Sequence, residues 1–214
     1  VYKTFRRWSA QGKFEQMHDR LRAQWREREE RADSPSAAIL DSQSTRSSPQ
    51  GGDSGYDAGK KVKGRKRSLI VDTLGLLLAV SISAASVQDR DAADDAVAYS
   101  KEKYPSLSTL FVDSAYAGKW AQRTHQLHAI DVQVIRGPNN RRTGQWHSEQ
   151  GDLFSVEPVQ TGFVVMPKRW VVERTHAWNE RARRLIMHHD RLFAVSEAWV
   201  WLAEARILAR RLTT

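Results

Sequence analysis

Apolar positions recur along this chain in two rhythms, and the change of rhythm marks the elements. In residues 1–34, Phe14, Met17, Leu21 and Trp25 fall at steps of three and four with Arg and Glu between them. That spacing predicts an amphipathic helix. The segment Asp33-Ser34-Pro35-Ser36 ends it, because proline disfavours helical geometry in the residue before it. Residues 37–41 read as a short buried strand closing on a carboxylate, and 42–59 as a loop rich in Ser, Gly, Gln and Asp. A β-hairpin follows, with arms 68–72 and 76–85 joined by Thr73-Leu74-Gly75. Residues 89–103 form a polar helix with Ala92, Ala93, Ala96 and Val97 on its apolar side. A second strand over 107–113, a helix over 119–128 and a strand over 131–135 complete the alternation. Residues 136–160, with Gly137, Pro138, Asn139, Asn140, Gly144 and Gly151, read as an irregular insertion carrying Arg136, Arg141, Arg142 and Trp146. Residues 162–166 resemble a short strand, 170–188 a charged helix and 192–212 a closing amphipathic helix. Strands alternating with helices at this length predict an α/β fold with a mixed sheet flanked by helices.

Charge narrows the class of partner. The 214 residues carry 34 Lys and Arg against 25 Asp and Glu, a net +9, which favours a polyanion. The charge is uneven: residues 60–67 hold six positive charges and no negative one, whereas 68–113 are net acidic. The absence of cysteine excludes disulfides, Cys-ligated zinc, iron–sulfur clusters and thiol nucleophiles together. No apolar run reaches the roughly 18 residues of a membrane span, so no membrane partner is expected. Walker, dinucleotide-binding, His-Glu-x-x-His and Gly-x-Ser-x-Gly motifs are all missing.

Two strands end alike, in Ile39-Leu40-Asp41-Ser42 and Phe111-Val112-Asp113-Ser114. An apolar strand ending in Asp offers a carboxylate at the C-terminal sheet edge, where open α/β sheets build their sites. A lone strand-end Asp is ordinarily a turn former or helix cap; two of them weaken that explanation. Glu173 is a third acid, with Arg169 four residues before it, a spacing an ordinary helix-surface ion pair would also give. Three carboxylates beside a polyanion suit metal-assisted phosphodiester chemistry, since hard oxygen ligands hold Mg²⁺ and leave room for water and phosphate.

The run Gly55-Tyr56-Asp57-Ala58-Gly59 through Lys60-Lys61-Val62-Lys63-Gly64-Arg65-Lys66-Arg67, followed by Val71-Asp72-Thr73-Leu74-Gly75-Leu76-Leu77 and Val87-Gln88-Asp89-Arg90-Asp91, resembles the DDE transposases of bacterial insertion sequences of the four and five families. The resemblance covers roughly residues 1–190. It implies an RNase H-like catalytic domain over 35–190, with the insertion at about 136–160. It further implies that 1–34 is the remnant of a longer helical DNA-binding region, N-terminally truncated here, and that 191–214 is a helix packing on the catalytic domain. Asp41 in Leu-Asp-Ser-Gln-Ser, Asp113 in Val-Asp-Ser-Ala-Tyr and Glu173 in Val-Val-Glu-Arg-Thr stand at the family's acidic positions, which implies that they are the catalytic and metal-binding residues. The implied cofactor is Mg²⁺, with Mn²⁺ as substitute. The implied activity is cleavage of double-stranded DNA at element ends and strand transfer to a target, in a bacterial cytoplasm at the nucleoid, with a homodimer allowed. Arg169 matches a signature of Tyr, Arg, Glu and Lys along the last catalytic helix, whereas the Tyr position falls on Met166 and the Lys position on Glu180. Recognition of terminal repeats is doubtful for a truncated chain. An RNase H-like nuclease without strand transfer and a decayed chain that only binds DNA are the alternatives.

The remaining expectations concern phosphate contacts. Lys60, Lys61, Lys63, Arg65, Lys66 and Arg67 lie beside the Asp41 loop, where each neutralised phosphate would release counterions. Arg174, Arg181 and Arg184 share a face by spacing, and Arg169 joins them through the family signature. Trp25, Trp178, Trp199 and Trp201 are expected in the core, and Trp146 is a candidate for stacking on an unpaired base. His176 is expected to pack or to touch DNA. His188-His189-Asp190 reads as a helix end interacting with the dipole, and Asp72, Asp89 and Asp91 as a turn residue and helix-start acids.

Overall fold

The structure is a computed structural model that describes residues 1–50, 52–135 and 168–214. The expected insertion, the strand at 162–166, Trp146 and Met166 lie outside the described residues. Among the described residues six strands, β1 (Ala37–Arg46), β2 (Gly55–Asp57), β3 (Val62–Asp72), β4 (Leu77–Ala84), β5 (Thr109–Val112) and β6 (Asp131–Val134), form one sheet. The α-helices among these residues are six: α1 (Tyr2–Ala10), α2 (Lys13–Arg28), α3 (Asp89–Lys103), α4 (Lys119–His128), α5 (Arg169–Glu180) and α6 (Phe193–Thr213).

β3 lies antiparallel to β1 from Gly64 to Asp72 and pairs on its other edge with β2 at its start and β4 beyond. Gly64 sits where β1, β2 and β3 meet, and a Cβ there would lie 2.0 Å from the Thr45 carbonyl oxygen. On the far side of β1 the pairing turns parallel, first to β5 and then from β5 to β6. Helix-covered crossovers supply those parallel returns, as they must. This is the expected α/β arrangement of a mixed sheet flanked by helices.

Strand alternation divides the core in two. Ala38, Leu40, Ile70, Leu110 and Val112 point to one face, where Ala93, Ala96 and Val97 of α3 and Trp120 of α4 cover them. Ile39, Leu69, Val71 and Phe111 point to the other, beneath Val171 and Val172 of α5 and Val200 and Trp201 of α6. α1 attaches by stacking Phe5 on Trp199 at 4.4 Å between centroids.

The structure differs from the periodicity at several points. Residues 1–34 form two helices, divided at Gly12 with φ +63°. The buried side of α2 is Phe14, His18, Arg22 and Arg26, while Met17 is exposed. Those two arginines are buried because they have work to do there: Arg22 pairs with Asp33 at 3.1 Å and Arg26 with the fully buried Asp72. The strand expected at 37–41 runs five residues further, since β3 supplies a hydrogen-bonding partner up to Arg46↔Gly64. The charged helix stops at Glu180. His188 lies on no helix; it is buried, bridges Ser47 in strand fashion and approaches Ser196 Oγ through Nδ1 at 3.2 Å. The helix-end reading of His188 and His189 is therefore corrected. Asp89 and Asp91 do open α3.

Removing Arg26 would strand the Asp72 carboxylate in the interior. We expect Arg26→Ala to lose about 3 kcal/mol of unfolding free energy, because a buried ion deprived of its partner is uncompensated. Urea unfolding followed by circular dichroism measures it, and a loss below about 1 kcal/mol would show that the backbone bonds to Asp72 suffice alone.

Candidate active site

Parallel pairing sets the two aspartates side by side. β1 and β5 run in the register Ala37↔Thr109, Ala38↔Leu110 and Ile39↔Phe111, so two residues further on Asp41, midway along β1, meets Asp113, just past the C-terminal end of β5. Asp113 also caps the short 3-10 turn Ser114–Tyr116, accepting the Ala115 N–H at 2.8 Å. Burial raises the Asp41 pKa to about 6 and the neighbouring Asp113 charge adds to that, against the opposing pull of Arg169, the Ser42 N–H and Lys60.

α5 crosses this strand end, held there by the turn between β3 and β4. Gly75, with φ +82°, lets that turn close, and its carbonyl accepts Thr175 Oγ1 at 2.9 Å. Arg174 donates to the Leu74 carbonyl at 2.8 Å. Arg169 then lies 4.0 Å from Asp41 and 3.4 Å from Glu173, so one guanidinium links the helix acid to the strand acid. The carboxylate of Glu173 is 53% exposed and that of Asp41 only 18%. His176 packs against Asp41 with Nε2 at 3.6 Å, and burial lowers its pKa to about 3, so the ring is neutral near pH 7. It is a packing residue with no surface to offer DNA.

Asp41 and Asp113 thus fit a divalent cation: they are adjacent oxygen donors, and a cation would relieve both the burial and the repulsion acting on Asp41. Glu173 does not stand with them. Among the described residues no group of three acids or histidines could hold one ion.

The expected phosphate contacts separate into two sets. Lys61 and Lys63 are exposed. Lys60 is exposed too, but donates to the Ser42 carbonyl at 3.1 Å and pairs with Asp89 at 3.3 Å. Arg65, Lys66 and Arg67 are buried, and that corrects the expectation of phosphate contact for these three. Arg65 donates to the Asp53 and Arg191 carbonyls and to Ser196 Oγ. Lys66 pairs with Asp89 at 2.5 Å. Arg67 donates to Gln43 and Thr45, and burial draws its pKa down to about 10. Glu180, in the family's Lys position, accepts from Gln43 Nε2 at 2.5 Å and offsets the Arg67 charge. An acid there serves a buried arginine that a lysine would repel.

On α5, Arg174 is half-buried between Trp170 and Trp178, at 4.5 and 4.4 Å from their rings. Arg181 is exposed; so is Arg184, which lies 5.2 Å from the Trp199 ring. Trp201 is buried as expected, whereas Trp25, Trp178 and Trp199 are only partly covered and each carries an arginine over its ring. The role of Arg67 was missed in the sequence; its place two residues before the apolar half of β3, opposite Gln43, was the available signal.

The family model described as "Transposase DDE domain" matches residues 32–208. No curated protein matches the chain. Among solved structures, "Crystal structure of the Mos1 mariner paired end complex with Mn" is similar at 9% identity with a TM-score of 0.35, covering 92% of this chain. The chain spans 60% of the length of that one.

The Asp41 pKa has a consequence for stability. Because the folded state holds this proton more tightly than the unfolded one, the contribution is full below about pH 4 and is lost as pH rises through about 6. Asp41→Asn, uncharged throughout, is expected to be more stable than the parent at pH 8 by on the order of 2 kcal/mol, and equal to it at pH 4. Thermal melts across that range test this; a gap that does not change with pH would rule it out.

Proposed function

The chain belongs to the transposase DDE domain family, and from that premise we propose that it cuts double-stranded DNA and joins the freed 3′-hydroxyl to a target, as the transposase of a bacterial insertion sequence. Asp41, Asp113 and Glu173 are the proposed catalytic acids. The observation that carries this reading is the strand register that sets Asp41 beside Asp113, with Arg169 of α5 reaching from Glu173 to Asp41. Mg²⁺, or Mn²⁺ in its place, bound at the two aspartates would activate water or a 3′-hydroxyl and stabilise the leaving oxygen.

The chain's own residues prepare that chemistry. Asp41, with its raised pKa, is more readily charged above about pH 6, so ion binding should strengthen as pH rises through that value. Arg169 holds Glu173 near the site and offsets the Asp41 charge meanwhile. His176, neutral and buried, fills the space behind Asp41 and excludes water from that side. No side-chain nucleophile and no covalent protein–DNA intermediate are required. Lys61, Lys63, Arg181 and Arg184 are the proposed exposed phosphate contacts, with Lys60, Arg169 and Arg174 lending charge closer to the acids. The domain division proposed is 35–190 for catalysis and 191–214 for the covering helix; the family match beginning at residue 32 supports treating 1–34 as a separate helical piece.

A second reading, binding of DNA without cutting it, is favoured by the Glu173–Arg169 contact, which keeps the third acid apart from the two aspartates.

Supercoiled-plasmid nicking with Mg²⁺ or Mn²⁺ decides between them. Asp41→Asn, Asp113→Asn and Glu173→Gln should each lose at least about a hundredfold in rate, equivalent to roughly 3 kcal/mol of barrier. If all three nick like the parent, the triad is wrong; if the parent binds DNA but never nicks, the second reading stands. Pre-cut ends offered to a target then separate strand transfer from simple hydrolysis.

A further inference from the structure

A cavity of about 350 Å³ opens between α5 and α6, away from the acids. Arg181, at the end of α5, lines one wall; Arg206, Arg210 and Arg211 of α6 line the other, with Trp178 between them. The rest of the lining is Ala182, Ala203 and Ile207, with no acid among the described residues. Arg181, Arg206 and Arg210 are exposed. Arg206 and Arg210 are four residues apart, so they stand on one face of α6.

The two simplest explanations fall short. Arginines in a last helical turn answer the C-terminal carbonyls, which accounts for Arg210 and Arg211 but not for Arg206, nearly two turns inside α6. Of the neighbouring acids, Glu204 is buried, and burial pushes its pKa up to about 8, leaving it largely uncharged at pH 7, and Glu29, at the end of α2, bears on Arg211, the fixed wall. Nor is the aromatic floor available to a base. Trp178 already carries Arg174 at 4.4 Å and Arg211 at 4.3 Å, so nothing is left for the stacking by which single strands are bound. What remains is a set of guanidinium forks, whose planar donors match phosphate oxygens two at a time.

We propose that this groove is a phosphate-backbone site for duplex DNA, separate from the catalytic acids, in which Arg181, Arg206 and Arg210 hold successive phosphates and Arg211 is the fixed wall. It extends the DNA-binding reading above and rests on it. The Trp25, Arg211, Trp178 and Arg174 stack ties α2, α6 and α5 together at this point, so backbone held here is in fixed relation to the helix that carries Glu173.

The test is fluorescence anisotropy of a labelled duplex with the 214-residue chain over a series of KCl concentrations. Arg206→Gln with Arg210→Gln should bind about tenfold more weakly near 0.1 M salt and lower the salt slope by about 1.8, the value for two lost phosphate contacts. Arg181→Gln, on the opposite wall, should lower the slope by about 0.9 alone and serves as the independent variant if the double one melts early. Arg123→Gln, at the exposed Arg123–Asp94 pair of α4, should change neither quantity. A parent that binds while both groove variants keep its affinity and slope overturns the groove but leaves the DNA reading standing. A parent that binds no duplex overturns both.

Discussion

Asp72 is the residue on which the arrangement hangs. It is fully buried at the turn between β3 and β4, and its Oδ1 accepts the Leu74 and Leu76 N–H groups at 2.9 Å each. Its other oxygen meets Arg26 and so fastens α2. The turn it shapes presents the carbonyls of Leu74 and Gly75, which take Arg174 and Thr175 of α5. A desolvated carboxylate tolerates few alternative arrangements, because every unsatisfied oxygen is costly. The placement of α5, and through it of Arg169 beside Asp41, follows from one acid that never touches the site.

Cations serve here as interior material. Beyond their apolar halves β1 and β3 continue as Gln43, Thr45, Arg67 and Arg65 on the face under α5 and α6, and as Ser42, Ser44, Ser68 and Lys66 on the other. Each buried positive group is matched to carbonyls, hydroxyls or acids: Arg65 to Asp53 and Arg191 carbonyls, Lys66 to Asp89, Arg67 to Gln43 and Thr45. Such residues add specificity more than stability, since desolvation consumes most of what the pairing returns. They also explain Glu180, whose charge answers Arg67 instead of reaching outward.

Much of the candidate site was legible in the chain. Asp41 and Asp113 stood out because each closes an apolar run, although β1 continues past Asp41 to Arg46, and the parallel register needed only the alternation of strand and helix. α3 has the predicted bounds because small apolar residues line one side and Asp89 and Asp91 stand in its first turn; α4 has them because Gly118 precedes it and Ala129, in the left-handed region, ends it. The basic run was legible as charge but not as location. A strand of alternating cations looks the same whether it faces water or is enclosed between a sheet and two helices. The stripe of α2 misled for the same reason: Phe14, Met17, Leu21 and Trp25 obey the helical period, yet the partners waiting for this helix were Asp33 and Asp72.

The sequence by itself determined the fold class and the family and singled out Asp41, Asp113 and Glu173 as candidates, because hydrophobic period, apolar runs closing on acids and motif order are local properties. Tertiary structure decided which cations are buried, which are free and which acids actually meet. Those outcomes depend on what lies opposite each side chain, and only packing brings Arg67 against Gln43, Arg169 between Asp41 and Glu173, and four arginines around one groove.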